Sequence, residues 1–172
     1  MNRRTALAVT TMALSGAALS AGAARAQQRP LKDQLVGTWT AVSAESTAPN
    51  GANQQFFGAN PKGILILDAG GRYTQVFARP GRPKFKSASR FSLEATPEEL
   101  KAAVMGSVAS FGTWSVNEAD KTLSRRPEAH LFPNAEGIEE KYSVSLAGDE
   151  LKTITVNSVT GDKTEIIYRR AR

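Results

Sequence analysis

The side chains that could perform acid–base or metal chemistry are few in this sequence of 172 residues. His130 is the only histidine and there is no cysteine, so a zinc site of the usual nitrogen and thiolate ligands cannot be assembled. No Gly-x-Ser-x-Gly motif is present to expose a serine nucleophile. A single histidine could still ligate a haem iron. We interpret His130 as a surface or mouth residue in preference to that role, and we assign no catalytic residue, metal or cofactor.

The carboxylates do not form a pair suited to general acid–base chemistry. Glu98 and Glu99 follow Thr96-Pro97, which is the pattern of a capped helix start. Glu139 and Glu140 are adjacent in a predicted strand, where neighbouring side chains point to opposite faces. The carboxylates therefore indicate structural positions, not a reaction.

A basic stretch lies between residues 72 and 93, where the chain contains no acidic residue. Its members are Arg72, Arg79, Arg82, Lys84, Lys86 and Arg90. One interpretation is a cationic rim, with Arg79, Arg82 and Arg90 attracting an amphipathic anion. The other is a solvated loop. Both interpretations stay open at this stage.

The first 26 residues have the composition of an export signal. Arg3 and Arg4 precede an apolar run that ends in a small-residue cleavage pattern at 24–26. The arginine pair is compatible with the twin-arginine route as well as the general secretory route. We expect cleavage near Ala26 and a periplasmic or secreted protein.

Net charge excludes a strongly basic mature domain. The chain carries +6, and three of its arginines and no acid lie in the first 26 residues, so the remainder carries +3. Such a balance gives no reason to expect nucleic acid as a partner. We also expect no stable membrane insertion, and the oligomeric state is not predicted.

Alternating apolar and polar residues dominate residues 27–172, which suit one domain. Turn residues divide this region into about eight strands, and a helix is predicted over residues 96–110, between the third and fourth strands. Short turns favour an antiparallel up-and-down barrel, which can hold one small ligand. An open two-sheet sandwich is the alternative.

Both tryptophans follow a Gly-Thr pair, at Trp39 and Trp114. If each pair opens a strand, antiparallel order places the two tryptophans at opposite ends of the barrel. Glycine allows the sharp bend at such a strand start, and an inward tryptophan can plug that end. Trp114 would then lie at the mouth, beside the basic stretch.

Period-2 alternation also predicts which side chains line the interior. The candidates for lumen or mouth contacts with a ligand are Tyr73, Gln75, Phe77, Arg79, Arg82, Arg90, Trp114, Tyr142 and Tyr168. These residues could surround a hollow that accepts an apolar guest, or they could fill the lumen themselves.

The Gly-x-Trp at 37–39 resembles the signature of lipocalins, and residues 35–170 are more similar to the bacterial lipocalin-like domain family. The similar motifs include "LVGTW", "FGANPKGILIL", "GGRYTQVFARPGRP", "LFPN" and "GDELK". The resemblance implies a barrel whose floor is formed by Trp39 with an arginine from the last strand, and we expect Arg170 to fill that role.

We expect the protein to bind a small hydrophobic or amphipathic molecule without catalysing a reaction. The alternative is a cyclase or isomerase acting on a polyketide- or terpenoid-like substrate, with tyrosines as acids. A filled barrel with a structural or interaction role is the third interpretation.

Overall fold

A computed structural model describes residues 29–89, 91 and 94–172 of the chain. The predicted export signal and Arg90 lie outside these residues. The strands are β1 (Gly37–Thr47), β2 (Asn53–Gln54), β3 (Lys62–Leu67), β4 (Arg72–Ala78), β5 (Ser107–Asn117), β6 (Thr122–His130), β7 (Glu140–Ala147), β8 (Glu150–Val156) and β9 (Lys163–Arg170). The helices are α1 (Leu31–Leu35) and α2 (Pro97–Met105), with a 3₁₀ turn at Pro133–Ala135.

Eight strands form a closed antiparallel barrel, and β2 is a two-residue addition. The order is β1-β3-β4-β5-β6-β7-β8-β9, and β1 pairs with β9 to complete the ring. The short β2 pairs with the last two residues of β1. The barrel predicted from the alternation and turns is confirmed.

The position predicted for the helix is wrong in two respects. α2 lies between β4 and β5, because the loop after β1 forms β2, which the sequence pattern did not reveal. The helix also ends at Met105 and not at residue 110. From Ser107 onward the backbone pairs with β4, so sheet hydrogen bonds replace helical ones.

Irregular pairing bends two of the strands. The register of β1 against β9 shifts between Ala41 and Ser43, so that the inward set continues at Ala44. The register of β5 against β6 shifts next to Pro127, which lacks the amide hydrogen that a ladder needs. Both shifts interrupt strict alternation without breaking the ring.

The strand directions define two ends of the barrel. At the closed end lie α1 and the turn that joins β3 to β4. At the open end lie the β1–β3 connection, the described part of the β4–β5 connection with α2, and the β6–β7 and β8–β9 connections. Among the residues that the structure describes, no helix is long and apolar enough to cross a membrane.

Candidate functional site

A cavity of about 290 Å³ lies at the open end, and its lining is mostly apolar. The lining residues are Phe56, Phe57, Val104, Met105, Ser107, Val108, His130, Leu131, Phe132 and Thr164. They come from the β1–β3 connection, α2, β5, the end of β6 with its following loop, and β9. The volume is just below the usual range for small-molecule pockets, about 300–1,000 Å³.

Arg79 holds the aromatic wall of the cavity in place. Its Nε donates to the carbonyl oxygen of Phe56 at 2.6 Å, just past the end of β4. Arg82 donates to the Ser107 hydroxyl, at the start of β5. Both arginines therefore lie directly behind lining residues, with further N–H groups that these bonds do not use.

The helix beside the cavity has a well-defined start. The Thr96 hydroxyl accepts from the Glu99 backbone N–H at 3.2 Å, and the Glu99 carboxylate accepts from the Thr96 N–H at 2.9 Å. This capping box matches the sequence prediction, and it holds the pKa of Glu99 below its ordinary value. No residue of α2 is buried, so the helix lies on the barrel rim with its apolar side chains partly uncovered.

His130 is at the mouth, as its interpretation from sequence proposed. Its Nδ1 accepts a hydrogen bond from the Phe132 backbone N–H at 2.8 Å. This bond shapes the turn after β6 and brings Leu131 and Phe132 into the cavity wall. The histidine thus has a structural partner at one nitrogen while its ring lines the cavity.

Aromatic rings fill the barrel below the cavity. Phe57, a lining residue, lies 5.2 Å from the Phe77 ring, which in turn lies 6.1 Å from Tyr168. Phe77 is fully buried, and a Cβ at Gly63 would come within 2.5 Å of its ring. The middle of the lumen is therefore packed by its own side chains, and the open space lies above them.

A buried arginine stands inside the barrel, and sequence analysis did not identify it. The Arg125 side chain is 6% exposed, and it donates to the Gln75 side-chain oxygen, the Tyr142 hydroxyl and the Glu140 carboxylate. Its guanidinium carbon lies 4.1 Å from the Tyr142 ring centroid and 5.1 Å from that of Tyr73. Within the described part of the chain, its Nε has no hydrogen-bond partner.

The charges of this cluster stabilise each other. Burial lowers the pKa of Arg125, but its electrostatic interactions with Tyr142 and with the Glu140 carboxylate outweigh burial and leave that pKa above its ordinary value, so the guanidinium stays protonated. Burial raises the pKa of Tyr142, which donates to Glu140 at 2.8 Å. Burial likewise raises the pKa of Tyr168 to about 12 and that of Tyr73 above its usual range.

The closed end contains both tryptophans. Trp39 is fully buried, and its indole donates to the Leu35 carbonyl oxygen at 2.8 Å. The Arg170 guanidinium lies 4.1 Å from the Trp39 ring centroid and donates to the carbonyl oxygens of Val36 and Gln34. These contacts tie α1 across the barrel floor.

The prediction that the tryptophans lie at opposite ends is wrong. β5 begins at Ser107, so Trp114 comes late in the strand and lies beside the β3–β4 turn. Its indole donates to the Asp68 carbonyl oxygen at 3.0 Å, and Lys32 of α1 lies 6.0 Å from its ring. Trp114 therefore lies away from the open-end cavity.

The predicted site residues that the structure describes separate into three groups. Arg79 and Arg82 are at the open rim, Trp114 is at the closed end, and Arg90 is outside the described residues. The remaining candidates face the interior below the cavity, namely Tyr73, Gln75, Phe77, Tyr142 and Tyr168.

Most of the cavity lining was missed, although two signals were present in the sequence. Phe56 and Phe57 stand within a Gly/Asn-rich loop, and Leu131 and Phe132 stand just before a proline. When several large apolar side chains in such turns come together, they mark a candidate binding surface. Arg125 also had a signal, because it alternates with Leu123 and Pro127 on one face of β6.

Among the described residues no group of three histidine or carboxylate side chains is placed to hold a metal ion. A second hollow, of about 280 Å³, lies at the closed end beside α1 and is mostly polar. Its lining includes the core residue Val144 of β7 but none of the aromatic side chains described above.

The chain is similar to several solved structures, each with little sequence identity. A designed fluorescence-activating β-barrel shares 12% identity, covers 83% of this chain and 98% of its own, and superposes with a TM-score of 0.41. A lipocalin-like protein from Bacteroides uniformis shares 12% identity, with coverage of 80% and 98% and a TM-score of 0.41. The fluorescent protein UnaG shares 16% identity, with coverage of 81% and 98% and a TM-score of 0.37.

A search of curated proteins gives no match. The model of the lipocalin-like domain matches residues 36–170, which include all eight barrel strands from Gly37 to Arg170. The protein therefore belongs to the lipocalin-like domain family.

Proposed function

We propose that this protein is an exported binder of a small hydrophobic or amphipathic molecule, held in the open-end cavity. The observation that carries the proposal is the cavity itself, where five side chains from three chain segments present apolar surface, namely Phe56, Val104, Met105, Leu131 and Phe132. Burial of apolar area contributes roughly 25 cal/mol per Å², so this lining supplies most of the affinity.

The rim favours an anionic group on the ligand. Arg79 and Arg82 stand behind Phe56 and Ser107, which both line the cavity. A carboxylate or sulfonate at the mouth would accept from their remaining N–H groups. Each exposed ion pair contributes only about 0–1 kcal/mol and weakens with salt, so the rim orients the ligand more than it retains it.

Binding is favoured over a cyclase or isomerase activity by the position of the acid–base groups. Glu140 and Tyr142 are hydrogen bonded to each other and to Arg125, and none of the three lines the cavity. The titratable side chain in the lining is His130. A ligand in the cavity would therefore contact mostly groups that cannot transfer a proton.

The proposal is tested with 1-anilinonaphthalene-8-sulfonate, a fluorescent aromatic anion. Val108→Trp places an indole in the cavity, and we expect it to weaken probe binding by about tenfold or more through lost apolar contact. Val76→Trp is the matched control, because Val76 points outward from the neighbouring strand. Equal binding by the Val108 variant and the parent, with both folded by circular dichroism, would contradict the proposal.

The anionic preference has a separate test. Arg82→Gln should weaken binding of the sulfonate probe a few-fold at low salt and leave N-phenyl-1-naphthylamine, a neutral analogue, unaffected. Parallel loss of both probes would assign Arg82 to the shape of the mouth and not to recognition of charge.

A further inference from the structure

Large apolar side chains project from three connections at the open end. Phe56 is 37% exposed in the β1–β3 connection, Met105 is 61% exposed at the end of α2, and Phe132 is 58% exposed after β6. These connections are separated in sequence and are gathered by the barrel topology at one rim. Together, the apolar side chains around the cavity mouth expose more apolar surface than is needed to line the cavity.

Helix α2 adds an uncovered apolar side to this rim. Leu100 and Val104 are four residues apart and are each about half exposed, at 45% and 46%. Residues at this spacing lie on one face of a helix. Since no residue of α2 is buried, the barrel does not use that face for its own core.

Basic side chains stand directly beside the helix. Arg82, Lys84 and Lys86 are exposed, and no acidic residue occurs between positions 79 and 89. The Lys86 backbone N–H donates to the Glu99 carboxylate at 3.1 Å, and Arg82 reaches the backbone at Gly106, where α2 ends. The cations and the apolar helix therefore belong to one local surface.

We propose that the open rim docks on the surface of an anionic lipid bilayer, with Met105, Val104 and Phe132 entering the headgroup region. The basic segment provides the charge complement, because anionic headgroups attract nearby lysine and arginine. Apolar side chains beside cations are the combination that holds a helix in the membrane interface. This docking goes beyond the proposed ligand binding and does not need a ligand.

The orientation has a direct consequence for the cavity. Phe56, Met105 and Phe132 line the cavity as well as the docking surface. The mouth would therefore face the bilayer, and an amphipathic molecule could pass between the lipid and the barrel without crossing water. The closed end, with Trp39 and Arg170, would face away from the lipid.

The docking is tested by sedimentation with vesicles of phosphatidylcholine and phosphatidylglycerol in equal parts. We expect the protein to sediment with these vesicles and not with pure phosphatidylcholine, and to be released by about 0.5 M salt because charge attraction is then screened. Absence of sedimentation with anionic vesicles at low salt would overturn the proposal.

Charge variants locate the surface. Lys84→Gln with Lys86→Gln should lower the partition coefficient on the order of 20-fold, since each basic residue near a lipid surface contributes roughly a fivefold factor. The control is Lys121→Gln with Arg172→Gln, which removes two exposed cations at the closed end. An equal loss in both pairs would show that net charge, and not this rim, binds the vesicles.

Apolar variants test insertion. Met105→Gln with Phe132→Gln should lower the partition coefficient by about tenfold, and Ile66→Gln, on the outer wall of β3 at 39% exposure, should not. Thermal melting checks that each variant is folded. Unchanged partitioning of the Met105 and Phe132 variant would overturn the proposal. The proposal would also be overturned if light scattering gave the mass of a dimer for the parent and of a monomer for this variant, because a second copy of the chain would then cover the rim in solution.

Discussion

Replacing Arg125 by methionine would show how far the buried polar cluster supports the fold. The guanidinium is 6% exposed and donates to Gln75, Tyr142 and Glu140. Methionine has a similar length but no donor, so all three acceptors lose a partner inside the barrel. Glu140 then keeps a charge that is 28% exposed, and it retains the hydrogen bond from the Tyr142 hydroxyl.

The expected cost follows from this geometry. Removing one partner of a buried ion pair costs about 3–5 kcal/mol, and the partial exposure of Glu140 places Arg125→Met at the lower limit, about 3 kcal/mol. Glu140→Gln should cost about 2 kcal/mol. The glutamine amide oxygen can still accept a hydrogen bond from Arg125, but the charge of Arg125 is then left without a counterion. The double variant should cost about 3 kcal/mol, which is less than the sum, since the two groups stabilise each other.

Urea unfolding followed by circular dichroism measures these differences in the free energy of unfolding. For a chain of this size about 3 kcal/mol corresponds to a fall in Tm of roughly 6–12 °C. The matched control is Lys152→Met, which breaks the 2.7 Å pair of Lys152 with Glu165 on the surface. Because both of those side chains are substantially exposed, its cost should stay below about 1 kcal/mol.

Two results would refute the reasoning. Arg125→Met as stable as the parent would mean that apolar packing replaces the cluster without loss. Strictly additive costs in the double variant would mean that Arg125 and Glu140 act independently. Either outcome would remove the ion pair as a determinant of the barrel interior.

Two further predictions concern the tyrosines and the register shift between β5 and β6 at Gly112. All three tyrosines, at positions 73, 142 and 168, have a raised pKa in the folded state. The stability that they contribute is therefore present below about pH 10, the pKa of an unfolded tyrosine. It is lost as the pH rises through the folded pKa, which is about 12 for Tyr168. Tyrosinate absorbance should therefore appear together with unfolding in an alkaline titration, and titration near pH 10 with the fold intact would contradict this. Gly112→Ala should cost several kcal/mol, on the order of 3, because its Cβ would lie 2.1 Å from the Arg126 carbonyl oxygen. At Gly70 the nearest atom to an added Cβ is an Asp68 side-chain oxygen at 3.4 Å, an ordinary contact distance, so alanine there should cost less than about 1 kcal/mol in the same urea assay. Equal stability of the two alanine variants would show that β6 can move away from β5 at the register shift.

The helix start was predicted well and the helix end was not, for one physical reason. Thr96 and Glu99 form a capping box from residues three apart, which local sequence specifies completely. The end at Met105 depends on β4, whose residues 72–78 pair with β5 from Ser107 onward. Hydrogen bonding to a distant strand overrides the local preference of residues 107–110, and local sequence does not contain that partner.

The tryptophans illustrate the same limit at longer range. Each Gly-Thr-Trp was interpreted as a strand start, and for Trp39 that holds because Gly37 is the first residue of β1. For Trp114 it fails, since β5 extends upstream to Ser107 and carries the tryptophan to the opposite end. One misplaced strand boundary was enough to move a predicted mouth residue to the floor.

The sequence by itself determined the alternating strands, the turns that join them, the capped helix start and the inward set that includes Tyr73, Gln75 and Phe77. These features depend on neighbours within a few residues, where side-chain period and backbone preference act directly. Only the tertiary structure decided that the lumen is packed, that the open cavity is lined by loop residues such as Phe56 and Phe132, and that Arg125 is buried. Burial and cavity volume depend on which strands become neighbours when the ring closes, and a ring joined between β1 and β9 unites residues more than a hundred positions apart.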